Sequence, residues 1–455
     1  MSGPSMLEGW QAAVSRLFEP SQEDRGFLID GATIGDIRSL AASLRYWLGN
    51  CQDRPVCLAT EDKALLAAAL LARLAGGPPL LLPYALSDQA LLALHQATGC
   101  CRVVAGKARD LPRPLELIVP ASAPSGVMHL EQTVFDEEAL LLSLYTGGST
   151  GTPQIWPKTV RNILGEAFLL ARLFDVAPRD CVLATIVPYH IYGLLYAVCL
   201  PLLTGARVLA ATPSFPEEIL QVAFAHRATI FISVPAHYKA LHGKGVLSPC
   251  LRLAFSSAGM LDPEDNAAFS RQNPAGIVEV YGSTETGGIA LRNRSQGEEG
   301  MTPYPTMDWQ IKNERLLLRS PFLSPGVQRD SGGYFLAGDR VAPCGAAQFV
   351  LQGRADAIIK VGGKRVDLDE VRLLITSMPG ISDCLVLALA DSGSREHRIV
   401  ALVETATVPI ENIRAMLAVR LEPYALPRAI KTIAQLPMKA NGKPDRAAIL
   451  QLFAS

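Results

Sequence analysis

Short, wholly apolar runs alternate with stretches of helical period over the first 280 residues. Val56-Cys-Leu-Ala and Pro79-Leu-Leu-Leu read as strands on either side of the helical Ala64-Leu-Leu-Ala-Ala-Ala-Leu-Leu-Ala, and Ala139-Leu-Leu-Leu-Ser-Leu is a further buried strand. Arg207-Val-Leu-Ala, Ala228-Thr-Ile-Phe-Ile-Ser-Val, Leu251-Arg-Leu-Ala-Phe-Ser and Ile277-Val-Glu-Val-Tyr continue the series, each separated by enough chain for a helix. Such alternation belongs to parallel sheets covered by helices on both faces, so this part is expected to be doubly wound α/β. From Asp308 to Val350 the runs shorten around turns at Asn313-Glu314, Ser331-Gly-Gly and Cys344-Gly345, which predicts an antiparallel subdomain. After Gln352 the pattern becomes helix (from Asp369), strand (from Asp383), strand (from Ile399) and helix (Glu411 to Leu421), a small α+β unit of about a hundred residues. The expected division is therefore a large N-terminal domain, 1–352, and a small mobile C-terminal domain, 353–455.

A chain of 455 residues is long enough for two or more hydrophobic cores. Cys181 to Ala206 carries no Asp, Glu, Lys or Arg over a length that could span a bilayer, but Pro188, Gly193, Pro201 and Gly205 punctuate it. Strand, turn and core helix are the preferred reading over a membrane span. Net charge is −1, with Lys and Arg dispersed, so neither a nucleic-acid stripe nor a polybasic membrane patch is present. The nine cysteines include no C-x-x-C pair, which argues against a zinc site or disulfide framework and for reduced thiols. The first ten residues lack a basic start and an apolar core, so a cytoplasmic protein is expected.

Tyr145-Thr-Gly-Gly-Ser-Thr-Gly-Thr-Pro153 leaves the Ala139–Leu144 strand directly. Its glycines let backbone N–H groups converge on anionic oxygens without Cβ interference, and its hydroxyls add donors, so a nucleotide is the first candidate ligand. The Walker loop needs Gly-Lys-Ser/Thr at its end, whereas Gly151 precedes Thr152 and Pro153, which disfavours a kinase or motor-type NTPase. Downstream, in order, come Tyr281-Gly-Ser-Thr-Glu-Thr-Gly287, Tyr334-Phe-Leu-Ala-Gly-Asp339, Gly353-Arg-Ala-Asp356 with Lys360-Val-Gly-Gly-Lys-Arg365, and Asn441-Gly-Lys443. Spanning residues 145 to 446, these segments resemble the ordered motifs of the adenylate-forming (AMP-binding) superfamily, which contains acyl-CoA synthetases, peptide-synthetase adenylation domains and luciferases. The phosphate loop begins early for that superfamily, implying that some family structure ahead of it is trimmed.

The resemblance implies ATP-dependent activation of a carboxylate as acyl-AMP with release of pyrophosphate, then transfer to a thiol. Thr146, Gly147, Gly148, Ser149, Thr150 and Gly151 would hold the β- and γ-phosphates. Glu285 matches the family's magnesium carboxylate, which suits a hard cation that bridges phosphates, and Thr284 the hydroxyl at the α-phosphate. Ser257, Ala258 and Gly259 resemble the adenine-flanking loop, with Tyr281 as stacking ring beside Gly282. Asp339 would accept from both ribose hydroxyls, with Arg354 as second ribose contact. Lys443 would reach the carboxylate and α-phosphate in the adenylating conformation. Rotation about a hinge at Asp356 would then withdraw it and present Gly362 and Gly363 at the thiol tunnel. One position departs from the pattern: the loop lysine expected after Gly-x-Pro is Gln154, and Lys158, four residues on, is either its substitute or a solvated surface residue.

His190, in Pro188-Tyr-His-Ile-Tyr-Gly193, resembles the family position lining the acyl pocket and thiol tunnel; a buried, satisfied histidine is the alternative. Amino-acid-activating relatives usually carry an Asp in this region, and this segment has none. Tyr189, Tyr192 and Tyr196, with Ser233 and His237 of Ser233-Val-Pro-Ala-His237, suit an aryl or acyl acid whose tail is buried without charge. A hydroxybenzoate-like acid and a fatty acid both remain open. The acceptor is coenzyme A or the phosphopantetheine of an acyl carrier protein, which Lys364, Arg395, His397 and Arg398 could serve. Competing classes are an adenylate oxidase, a silent AMP-binding sensor and a transporter built on the Cys181 run.

Overall fold

The computed structural model describes residues 6–49, 54–120, 130, 136–146, 154–361, 364–390, 397–438 and 444–453. By contacts it forms two compact units, residues 1–308 with 319–333, and residues 309–318 with 334–455. This division falls ahead of the 352/353 boundary expected from pattern.

The first unit carries two sheets. One has six strands in the order Glu116–Ile118, Arg102–Val104, Val56–Leu58, Leu80–Leu82, Leu140–Thr146 and Gln154–Thr159. All neighbours are parallel except the last pair, where Thr146 lies opposite Gln154. The other has seven: Thr302–Pro303, Gly287–Asn293, Val278–Ser283, Leu253–Ser256, Ile230–Ser233, Cys181–Ala184 and Arg207–Val208. Its last five strands are mutually parallel, and the first two are antiparallel additions. The predominantly apolar strands Cys181–Ala184 and Ile230–Ser233 are wholly buried, as a sheet covered on both faces requires.

Helix Lys63–Leu74 explains its own apolar monotony. It touches strands Leu80–Leu82 and Leu140–Thr146 on one side and the 195–199 segment of the second layer on another, so nearly every face is buried. Asp62 caps its start by accepting the Ala64 and Leu65 N–H groups. Lys63 is buried there, and its ammonium donates to the Ala210 and Ala211 carbonyls and to Thr212 Oγ1 at 2.9, 3.1 and 3.0 Å, tying one sheet to the other. Cys181–Ala206 is strand, turn and a buried helical segment that includes a π turn at Leu195–Cys199. Among the described residues no helix is long and apolar enough to cross a membrane.

The second unit contains the antiparallel strands expected after residue 308, Asp308–Lys312, Arg315–Arg319, Phe335–Cys344 and Gln348–Arg354. Asn313 and Glu314 both take positive φ, 51° and 58°, at the first turn. A hairpin, Ile358–Val361 with Lys364–Asp367, follows. Then come helix Leu368–Thr376 and strands Asp383–Ala390, His397–Glu404 and Ala429–Ile433, with helices Ile410–Arg420 and Arg446–Phe453. Helices Leu368–Thr376 and Ile410–Arg420 share a core with the strands around Val371, Ile375, Val403, Ile413 and Leu417, and helix Arg446–Phe453 packs in a separate one through Ile449 and Phe453 against Leu387, Val400 and Leu402.

Candidate functional site

In open α/β sheets ligands bind at the carboxyl ends of parallel strands, and several of the expected site residues lie at that edge of the seven-stranded sheet. Just past Cys181–Ala184, Thr185 Oγ1 lies 2.7 Å from Ser233 Oγ and 2.7 Å from His237 Nδ1. Burial lowers the His237 pKa, favouring a neutral imidazole suited to hydrogen bonding. Tyr192 donates its hydroxyl to the Ser233 carbonyl at 3.2 Å, so Tyr192 and His237 converge on one strand end. His190 immediately precedes Ile191–Leu194 and sets its ring edge to Tyr189, centroids 4.7 Å apart. Tyr196, by contrast, is a core residue, 2 % exposed and packed on Phe255.

One strand over, Ser257 donates to the Val280 carbonyl at 2.8 Å, and Ala258 takes φ 68°. The 257–259 loop is thereby drawn against the strand that carries Tyr281. Val278–Ser283 and Gly287–Asn293 form a hairpin with Thr284–Thr286 at its tip, and its base is pinned by Glu279 facing Arg292 across the strands. Ser283 N–H donates to Thr286 Oγ1 at 3.0 Å, and Thr286 Oγ1 donates to the Gly287 carbonyl at 2.8 Å, closing the tip on itself. The Glu285 carbonyl accepts the Ser324 N–H at 2.8 Å and faces Lys158 Nζ at 3.5 Å.

Lys158 is not a solvated surface residue: it is 0 % exposed, and its ammonium also donates to the Phe322 carbonyl at 3.2 Å. Glu166, 1 % exposed, accepts the Gly288 N–H on Oε1 at 2.8 Å. Burial pulls the Lys158 pKa down and pushes the Glu166 pKa up, and the opposite charge of each works against that shift. Sequence pattern missed Glu166. A lone carboxylate opening the apolar Glu166-Ala-Phe-Leu-Leu-Ala was the available signal, because an acid in such a run is buried only with a partner.

In the second unit, Asp339 and Arg354 stand opposite each other on paired strands, with Oδ1 and Nη1 3.9 Å apart. The Arg354 N–H donates to Asp369 Oδ2 at 3.0 Å, so the arginine's backbone is anchored at the start of the next helix. Asp356 lies in the short turn Ala355–Ala357. At the phosphate loop, Thr146 donates its hydroxyl to the Gln154 carbonyl at 3.3 Å. Gly147, Gly148, Ser149, Thr150, Gly151, Gly362, Gly363 and Lys443 lie outside the described residues.

The AMP-binding enzyme family matches residues 36–326, and the AMP-binding enzyme C-terminal domain matches 371–443. A 4-coumarate–CoA ligase of Rhodobacter capsulatus is 29 % identical over 323 residues, covering 70 % of this chain and 78 % of its own. A sulfoacetate–CoA ligase of Cupriavidus necator is 26 % identical over 460 residues, covering 93 % and 84 %. Among solved structures, ATP-bound MatB from Rhodopseudomonas palustris superposes with a TM-score of 0.82 at 18 % identity, over 97 % of this chain and 98 % of that one, a likeness of fold. With the family match running over most of the first unit and again over the C-terminal one, the chain belongs to the AMP-binding enzymes, the adenylate-forming superfamily, and is an AMP-forming acid–thiol ligase of the acyl/aryl-CoA synthetase type.

Proposed function

We propose that this ligase joins an aryl or acyl carboxylate to AMP at the carboxyl edge of the seven-stranded sheet. It then hands the acyl group to the thiol of coenzyme A or of a carrier-protein phosphopantetheine. The observation that carries the reading is the convergence of Tyr192, Thr185, Ser233 and His237 at one strand end, in the same sheet as the hairpin that carries Glu285. An uncharged wall of tyrosine, histidine and hydroxyls favours an acid whose tail bears no charge, and a phenol is well matched to it. The sulfoacetate-activating relative acts on a charged acid, which this wall does not suit.

In this reading the nucleotide lies between the 257–259 loop and Tyr281, Asp339 and Arg354 take the ribose, and Thr146 with the 147–151 run takes the phosphates. Glu285 is the carboxylate for Mg²⁺. Among the described residues no group of three His, Cys, Asp or Glu side chains could hold an ion by itself. A single partly exposed carboxylate fits a magnesium ion that arrives on ATP phosphates with its own waters. When bound, that ion would neutralise charge on the phosphates; Thr284 would donate to the α-phosphate and Lys443 would carry positive charge to the attacking carboxylate. Residues 353–455 would swing about Asp356 between the two half-reactions, presenting Gly362 and Gly363 at the thiol tunnel beside His190. Reduced thiols and a cytoplasmic setting fit the same picture.

Pyrophosphate release from ATP across a panel of carboxylic acids tests the reading. Hydroxybenzoates, cinnamates or medium-chain fatty acids should release pyrophosphate, and amino acids should not. ADP as product would sink it, and a strong response to an amino acid alone would overturn the choice of substrate.

A further inference from the structure

Lys158 and Glu166 are both ionisable and buried, 0 % and 1 % exposed, and among the described residues neither spends its hydrogen bonds on the other. Lys158 donates to the carbonyl of Glu285, at 3.5 Å, and of Phe322, at 3.2 Å. Glu166 accepts the N–H of Gly288 at 2.8 Å. The tip that presents Glu285 is therefore gripped at both ends, at the carbonyl of residue 285 and the amide of residue 288. Ser324 adds a third hold by donating its N–H to the same Glu285 carbonyl. The fit is tight: a Cβ on Gly287 would stand 2.4 Å from Glu166 Oε2, and that oxygen has no hydrogen-bond partner among the described residues.

A buried pair of opposite charges gives little net stability relative to apolar residues of the same volume, whereas its fixed partial bonds to backbone can set the position of a ligand-bearing turn. We propose that Lys158 and Glu166 are positioning residues that hold the Glu285 turn in the geometry needed for the metal–nucleotide complex, acting through the protein backbone without touching phosphate. The inference rests on the reading of Glu285 as the magnesium carboxylate. On this reading Lys158, whose ammonium is enclosed beneath the turn, acts on the Glu285 turn and not as a substitute for the loop cation at Gln154.

The test measures binding of α,β-methylene-ATP, which cannot be adenylated, by calorimetry over a range of Mg²⁺ concentrations. The variants are Lys158→Met, Glu166→Gln, the double variant and Glu285→Gln. Lys158→Met and the double variant should raise the Mg²⁺ needed for half-maximal binding about tenfold, the scale of loss for residues that orient a metal ligand. Binding without Mg²⁺ should stay within about twofold of the parent, and so should the KM for the acid. Glu166→Gln, which keeps an acceptor for Gly288, should shift less than Lys158→Met. If Lys158→Met alone does not fold, the double variant, which leaves no uncompensated buried charge, decides. A folded double variant with the parent's Mg²⁺ dependence overturns the proposal, as does an equal loss of metal-free and metal-dependent binding. If Glu285→Gln also leaves the Mg²⁺ dependence unchanged, the assignment of Glu285 itself falls; if Glu285→Gln shifts it and the Lys158 variants do not, only the brace falls.

Discussion

His237 shows how one side chain acquires its chemistry from burial. Its ring is held by Thr185 at 2.7 Å in a hydroxyl chain that ends on Ser233, and desolvation lowers its pKa below the ordinary 6.5. A histidine whose folded pKa is depressed binds fewer protons than the unfolded chain does, so stability rises with pH in that window. The contribution is fully present above pH 6.5 and is lost as pH falls through the folded value. The urea midpoint should therefore drop between pH 7 and pH 5, and His237→Gln should flatten that drop; parallel slopes in the two proteins would refute it. Sequence alone proposed His237 for the acid pocket, with Ser233, but did not show its partner: Thr185 is 52 residues away and meets it only because two parallel strands end side by side. Lys158 is the same lesson in reverse, since nothing local distinguishes a lysine beneath a hairpin from one on a surface.

The element that matters most is the hairpin Val278–Ser283 with Gly287–Asn293. Its motif was legible because the tip demands particular residues: a threonine whose hydroxyl closes the turn, and a glycine at residue 287 where φ is 68°. Gly287→Ala places a Cβ in that left-handed conformation and against Glu166, and should cost about 1–3 kcal/mol of stability. Urea unfolding checks it, and a change within error would mean that the tip relaxes freely. Strand and helix runs elsewhere were legible for the plain reason that buried parallel strands are continuously apolar and turns need their own residues. The all-round burial of Lys63–Leu74 was not, because it depends on helix Ile34–Leu48 and on residues 195–199 packing against it.

At the scale of the whole chain, the two half-reactions of an acid–thiol ligase need different groups at one centre, and in the proposed scheme a small domain turning about Asp356 would supply them in turn. Lys443→Ala should slow pyrophosphate-releasing adenylation roughly a hundredfold or more, the scale of a lost transition-state charge contact, while thioester formation from supplied acyl-adenylate survives. Asp356→Pro, which restricts the backbone at the turn, should impair the thiol step preferentially. Equal slowing of both steps by Lys443→Ala would rule out the two-conformation scheme for this protein. The sequence by itself determined the order of strands and helices, the glycine- and hydroxyl-rich segments, and the superfamily, since each depends on residues within a few positions of one another. Tertiary structure alone decided that Lys158 and Glu166 grip the Glu285 turn and that Thr185 and Ser233 hold His237. Those contacts join residues dozens to more than a hundred positions apart, and only the packing of sheets brings them within bonding distance.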